Sequence, residues 1–393
     1  MADPPARAAA GVAVRILHLN TERTWRGGEQ QSLWLAAGLR DLGDSSEVAC
    51  QPGSPLAERA RKAGLVVHEI LMRGEWDTSA AGALRRLFRE RRPELVHMHT
   101  SHAHTLGGLA ARGRGGPLTA VSRRVDFSIY RNFLRLSWFK YRLLGDRFIA
   151  ISRAVRAVLL RDGIPADRIE VVPSGIDTAR LDAARRRDLR DDLGLPPGTP
   201  LVGDVAAFGW HKAQEVLVEA TPLLLESVPD AHVVLLGDGE CRPRVEEVAR
   251  RLGLLGNRVH FLGFRDDVPE VMGSLDLFVM SSVMEGLCTS ALDAQAVGVP
   301  VVASAVGGLV EAVADGETGL LVPPRDPPAL AAAMARVLRE PDLRARLAGA
   351  GRRRVRERFS VKAMVEGTRS VYGRMLRGEP VAADPPPPPG GRP

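Results

Sequence analysis

The sequence predicts an α/β protein made of two doubly wound parallel sheets. Short apolar runs alternate with helical patterns along nearly the whole chain, the signature of strands joined by crossover helices. The alternation falls into two series, separated by a charged stretch containing Pro and Gly, DAARRRDLRDDLGLPPGTP (182–200). The length of 393 residues is enough for two domains of ordinary size.

The first series opens on VRILHLN (14–20), a short apolar strand. A Gly-containing loop follows, then a helix with apolar residues at Leu33, Leu35, Ala36 and Leu39. Strand-like runs recur at SSEVAC, LVVHEI, ELVHMH, LTAVS, RFIAIS and IEVVPS. The second series runs LVGDVAA, AHVVLLG, RVHFLG, LDLFVM, PVVAS and GLLVP. The predicted domains are residues 12–185 and 186–360. A helical pattern near 352–376 follows the last strand, and its part within 361–379 is expected to pack back on the first domain. Residues 1–11 and the Pro-rich 380–393 are of low complexity and expected to be disordered. Ligands of such sheets bind beyond the carboxyl ends of strands, so the expected site is a cleft between two facing domains.

Composition narrows the function classes. Hydrophobic residues are 45% and charged residues 26%, as in soluble globular proteins. The net charge of +7 is spread along the chain and comes almost wholly from Arg, with only four Lys. That pattern reads as compositional bias and not as a nucleic-acid patch, so no nucleic-acid partner is predicted. Cys50, Cys241 and Cys288 show neither disulfide nor metal spacing, which fits a reducing cytoplasm. No apolar run is long enough to span a membrane, and the N-terminal residues lack a signal-peptide core. The basic, aromatic stretch RNFLRLSWFKYRLL (131–144) admits peripheral contact with the inner face of a membrane. The plainer reading packs its apolar residues on the domain.

The chemistry concentrates in SVMEGLCTSALDA (282–294). LDLFVM reads as a buried strand, and the next helix should begin at Leu287 to Thr289. Its first amides have no intrahelical partner and, with the helix dipole, favour an anion. Thr289 and Ser290 add hydroxyls. Glu285 precedes the helix as a hydrogen-bond acceptor, and Asp293 lies one turn inside. A phosphate flanked by polyol groups, as in a nucleotide diphosphate sugar, would use all three features. The bland alternative is a helix-start acid and an unrelated surface Asp.

Other loops offer weaker signals. In RGGEQQ (26–31), Gly27 and Gly28 permit positive φ and close backbone approach, and Glu29 and Gln30 begin a helix. HMHTSHAH places His97, His99, His102 and His104 at the end of a strand. A metal is conceivable there, but no acidic or Cys partner is near in sequence and none is predicted. Arg123 and Arg124 in VSRRVDF suit an anionic group on an acceptor, or are a solvated pair. In SGID, Gly175 is read as conformational, Asp177 as a cap and Ser174 as a neighbour of phosphate. GDGE (237–240) lacks the third glycine of a dinucleotide loop, which leaves a nicotinamide reading weak.

Glu285-x7-Asp293 and its continuation ALDAQAVGVPVVASAVGGLVEAVADGETGLLVPPRDP resemble the C-terminal domain of family 4 glycosyltransferases, also called glycosyl transferases group 1. IAISRAVRAVLLRDGIPADRIEVVPSGID (149–177) resembles the end of that family's first domain, and the likeness spans about residues 13–375. The family pattern is Glu-x7-Glu, so Asp293 is a conservative departure. The resemblance implies the GT-B fold and retaining hexosyl transfer from a nucleotide sugar to a hydroxyl of a glycan or lipid-linked acceptor, as in polysaccharide or lipopolysaccharide biosynthesis, in the cytoplasm and without a cofactor. It gives Glu285 the donor-sugar hydroxyls, Asp293 the ribose, and Gly286, Leu287, Cys288 and Thr289 the diphosphate. Lys212 would neutralise the leaving group, while Ala207 stands where the family has Arg. Gly27 and Gly28 would approach the donor phosphate, His99 the transferring sugar, and Gly237 and Arg265 the base pocket. His102, Arg123 and Arg124 fall on the acceptor side. The chain contains no Asp-x-Asp, so no metal-bridged diphosphate is expected. In such enzymes the leaving phosphate itself acts as base. A nucleotide-sugar epimerase of the same fold and a non-catalytic nucleotide-sugar binder are the alternatives.

Overall fold

The computed structural model describes residues 13–128 and 136–382. The N-terminal residues 1–11, most of the Pro-rich tail and residues 131–135 of the basic stretch lie outside them. The chain forms two compact units. One takes in the chain as far as Gly175 and resumes at Val361; the other runs Ile176–Ser360. The divide thus falls before residue 185. The short Thr178–Ala183 helix goes with the second unit, where it packs on the Thr289–Val297 helix.

Each apolar run named above is a strand. The first unit holds β1 (Arg15–Leu19), β2 (Ser45–Cys50), β3 (Val66–Glu69), β4 (Leu95–Met98), β5 (Leu118–Arg123), β6 (Arg147–Ala150) and β7 (Ile169–Val171). They form one sheet in the order β3-β2-β1-β4-β5-β6-β7, paired in parallel. The second unit holds β8 (Leu201–Val205), β9 (His232–Leu236), β10 (Val259–Gly263), β11 (Leu277–Met280), β12 (Val301–Ser304) and β13 (Gly319–Val322). Their order is β10-β9-β8-β11-β12-β13, again parallel. Both orders reverse at the first strand of the unit, which opens a crevice beyond the carboxyl ends there. Helices on both faces bury the sheets, so the central strands read as unbroken apolar runs. In β4, β9 and β11 every residue is buried.

The helical pattern near 352–376 is two helices, Pro341–Arg358 and Val361–Arg377, broken at Phe359 and Ser360. The second belongs to the first unit. Met364, Val365, Val371, Tyr372 and Met375 pack there with Ile16, Leu35 and Leu39. Gly38 lets the Gly27–Asp41 helix come close, because a Cβ at Gly38 would stand 2.5 Å from Val365 Cγ2. Among the described residues, no helix is long and apolar enough to cross a membrane.

Candidate active site

In the second unit, β8 and β11 lie side by side and the loops at their ends carry the chemistry. Ser281 and Val283 hold the loop after β8: the Ser281 hydroxyl donates to the Ala213 carbonyl at 3.0 Å, and the Val283 amide to the His211 carbonyl at 2.8 Å. This places Lys212 against Glu285, and the two form an ion pair. Burial alone would lower the Lys212 pKa, but the negative charge around it, foremost the Glu285 carboxylate it pairs with, outweighs that and raises it. Asp204, on β8, is 1% exposed, and neither of its oxygens meets a donor in hydrogen-bond geometry. Burial pushes its carboxyl up to about 7, with Lys212 and Gln214 pulling it back and Glu285 adding to the rise.

The Thr289–Val297 helix starts directly beside this pair. Its N-cap, Cys288, has φ 56°, a left-handed conformation unusual for a side chain. Burial raises the Cys288 thiol to about 12, so it stays protonated. Among the described residues, the amides of Leu287, Cys288 and Thr289 donate to no protein acceptor. Two glycines hold the 285–288 loop from behind. A Cβ on Gly307 would lie 2.2 Å from the Glu285 carbonyl oxygen, and one on Gly308 2.0 Å from that of Gly286. The Gly308 amide also donates to the Glu285 carbonyl at 2.7 Å. The GG of AVGGLVEA was the signal for this contact. Asp293 is one turn in and half-buried. Desolvation pushes it up to about 7 against the pull of Arg180, with Asp177 adding to the rise.

Two expected members of this site have other employment. Arg265 is held by Asp267, at 2.7 and 2.6 Å, and by Asp192 at 3.1 Å, so its guanidinium is engaged in ion pairs within its own unit. Gly237 has φ 140°, and a Cβ there would strike the Ala206 carbonyl oxygen at 2.0 Å. The glycine is needed for loop packing.

In the first unit a cavity of about 460 Å³ lies at the carboxyl ends of β4 and β5, lined by Gly28, His99, His104, Arg123 and Arg124 among others. A larger one, about 920 Å³, sits at the amino ends of β1, β4 and β5, the end away from ligand sites in such sheets. His99 Nε2 meets His18 Nδ1 at 3.0 Å, and Arg124 reaches both the carbonyl and Nδ1 of His99 at 3.2 Å. His97 is joined to Tyr372 at 2.5 Å and to Ser122 at 2.8 Å. His18, His97 and His99 thus bring ring nitrogens within 4.8 Å of one another, a spacing open to a metal. Every one of these nitrogens except His18 Nε2 already has a protein partner, and the Arg124 cation stands against the cluster. Burial, then the neighbouring cations, holds His18 down at about 3 and His99 well below its usual range, so both rings are neutral. His18 came from a strand read only as apolar.

The remaining first-unit expectations divide. His102 is exposed on the Ser101–Ala111 helix and does not line the cavity with His99. Gly27 and Gly28 do not adopt positive φ; they are the first residues of the Gly27–Asp41 helix, and a Cβ on either would meet nothing within 4 Å. Glu29 is buried, takes the Arg26 amide at 3.0 Å and so caps its own helix, while it also lines the 460 Å³ cavity. Gly175 also lacks positive φ. Its constraint is space, since a Cβ would lie 2.7 Å from Val361 Cα. Gln31, which the sequence did not single out, grips Gly175 through two 2.8 Å hydrogen bonds. Asp177 does cap, accepting from the Arg180 amide at 3.0 Å.

Two doubly wound units, with an ion pair and an open helix start at the strand ends of the second, have the architecture of the GT-B fold, and the likeness to named glycosyltransferases makes the chain a hexosyltransferase. Its family can be stated from sequence likeness. Residues 185–354 match the model of glycosyl transferases group 1, and residues 25–180 that of glycosyltransferase family 4. The chain is 32% identical over 351 residues to a 2-deoxystreptamine N-acetyl-D-glucosaminyltransferase of Streptomyces fradiae, covering 82% of this chain and 81% of that one. It is 38% identical over 251 residues to a D-inositol 3-phosphate glycosyltransferase of Salinispora arenicola, covering 59% and 55%. Anabaena HepE, solved in complex with UDP, shares the fold with a TM-score of 0.79 at 22% identity, over 91% of this chain and 99% of that one. The chain belongs to glycosyltransferase family 4.

Proposed function

We propose that the protein moves a hexosyl group from a nucleotide diphosphate sugar to a hydroxyl of a glycan or lipid-linked acceptor, with retention and without a metal or cofactor. The observation that carries this reading is the Lys212–Glu285 pair set beside the unpartnered amides of Leu287 to Thr289. Negative charge develops on the leaving diphosphate as the glycosidic bond breaks. A lysine and a helix start aimed at that charge stabilise it without reorganising. Lys212 carries the larger share, because Ala207 supplies no cation. Glu285 accepts hydrogen bonds from the sugar hydroxyls and orients the ring, and Asp293 takes the ribose. The departing phosphate oxygen receives the acceptor proton. His99 meets the transferring sugar as a neutral ring. UDP in the related HepE structure supports a nucleotide donor. The reaction is placed in the cytoplasm, with peripheral membrane contact where the acceptor is a lipid.

The test is thermal stabilisation by UDP-, GDP-, ADP- and TDP-sugars, with and without EDTA. A ligand that binds only the folded chain raises its apparent stability. One nucleotide class should shift the transition, unchanged by EDTA. Glu285→Ala should lose transfer. No shift with any donor, or near-normal turnover by Glu285→Ala, overturns the assignment.

A further inference from the structure

The 920 Å³ cavity at the amino ends of β1, β4 and β5 is walled by arginine. Along the chain these residues read as part of a diffuse Arg excess; the fold collects Arg15, Arg85, Arg89, Arg92, Arg112 and Arg114 around one space. Among the lining residues Glu94 is the only acid. It is already engaged, accepting from the Arg15 amide at 3.1 Å and pairing with the Arg15 guanidinium at 3.7 Å. Arg15 and Arg85 also have work within the fold. Arg15 Nε donates to the Arg92 carbonyl at 2.8 Å, and Arg85 donates to the carbonyls of Leu109 and Arg112 at 2.9 and 3.4 Å and of Ala110 at 3.4 Å. These contacts cap the carboxyl ends of the Thr78–Arg91 and Ser101–Ala111 helices. Arg89, Arg92, Arg112 and Arg114 remain. They are exposed, and among the described residues none of their side chains has a hydrogen-bond or ion-pair partner. Arg85, Arg89 and Arg92 follow one another at i, i+4 and i+7, one face of a helix, where like charges repel. Arg92 is also held at φ 48°, a conformation in which helix ends ordinarily use Gly. Unfavourable local choices with no compensation inside the unit mark a surface shaped for something outside it.

The rest of the wall is apolar, with Phe88, Pro93, Pro117, Leu118 and Leu376. Among the described residues, no exposed large hydrophobic side chain of the unit lines the cavity. The site is therefore a recess and offers nothing to insert into a bilayer. Its volume suits a small molecule.

We propose that this cavity binds a soluble phosphate ester whose uncharged part is apolar or a flat ring. The four free guanidinium groups are planar donors that match phosphate oxygens, and the apolar wall takes the remainder of the ligand. The Ser101–Ala111 helix joins this cavity, at Ala110 and Ala111, to the 460 Å³ cavity, at Ser101 and His104. The two cavities share that element and lie at opposite ends of the sheet, so a ligand here does not compete with one there. The site does not rest on the glycosyl-transfer reading.

The experiment is amide hydrogen exchange of the whole chain titrated with phenyl phosphate, inorganic phosphate and phenol. Phenyl phosphate should slow exchange in residues 85–94 and 110–118, with an affinity about tenfold or more above that of either fragment. The double variant Arg89→Gln/Arg114→Gln should lose most of that affinity. Both residues are exposed, so it should fold, and an unchanged melting temperature checks this. UDP should leave the phenyl phosphate protection in place. Protection confined to residues 282–294, no protection at all, displacement by UDP, or undiminished binding by the double variant overturns the site. Equal affinity for phenyl phosphate and inorganic phosphate overturns the ligand class. Sedimentation with phosphatidylglycerol vesicles should leave the chain in solution; cosedimentation that depends on Arg89 and Arg114 overturns the soluble ligand in favour of a membrane.

Discussion

Lys212 and Glu285, 73 residues apart in the chain, are paired with each other in a largely buried setting. Each is the other's counter-charge before any ligand arrives. Lys212→Met should therefore destabilise the fold by roughly 3–5 kcal/mol, because it strands the Glu285 carboxylate. The double variant Lys212→Met/Glu285→Gln should be nearer wild type than Lys212→Met alone. Urea unfolding of wild type, Lys212→Met, Glu285→Gln and the double variant gives the coupling. Additive losses would mean that the pair contributes no interaction of its own.

Asp204 makes a prediction about pH. Its folded-state carboxyl is raised to about 7 from an ordinary value of 3.8. A raised acid binds more protons folded than unfolded between those values. Its contribution is therefore favourable below about pH 4 and is lost as pH rises through about 7. Asp204→Asn should remove that slope, and should be more stable than wild type at pH 8 by on the order of 2–4 kcal/mol. The two should converge near pH 4. Parallel stability profiles from pH 4 to pH 8 would show that the carboxyl is not desolvated as described.

Ala213 stands next to Lys212 at φ 50°, where a Cβ is strained and glycine is not. Ala213→Gly should raise stability by about 0.5–1 kcal/mol, and Ala213→Val should lower it by more. Thermal unfolding decides the order. A destabilised glycine variant would place the strain elsewhere.

Gly38 offers a case in which two effects oppose. Within a helix, Gly→Ala ordinarily gains close to 1 kcal/mol. Here the new methyl would stand 2.5 Å from Val365, a side chain stiff at χ1. Overpacking of this kind costs about 1–3 kcal/mol, so Gly38→Ala should be net destabilising. Adding Val365→Ala should turn the sign of the Gly38→Ala change. A stabilising single variant would mean that the Val361–Arg377 helix moves aside freely.

By itself the sequence determined what local periodicity and loop chemistry can carry. The strands of both sheets were legible as short, mostly apolar runs, and most clearly the central ones, because parallel strands buried on both faces leave no polar alternation. The family motif placed Glu285, Thr289 and Asp293 at one loop and helix start, because those residues are neighbours in the chain. Tertiary structure decided the rest. Nothing local shows that Lys212 neutralises Glu285, that His18 of β1 joins His99 beyond β4, or that Gly307 and Gly308 support the 285–288 loop. Arg265 looked free of partners until Asp192 and Asp267 closed on it. Such contacts join segments brought together only when the sheets assemble, and charge and space are settled there.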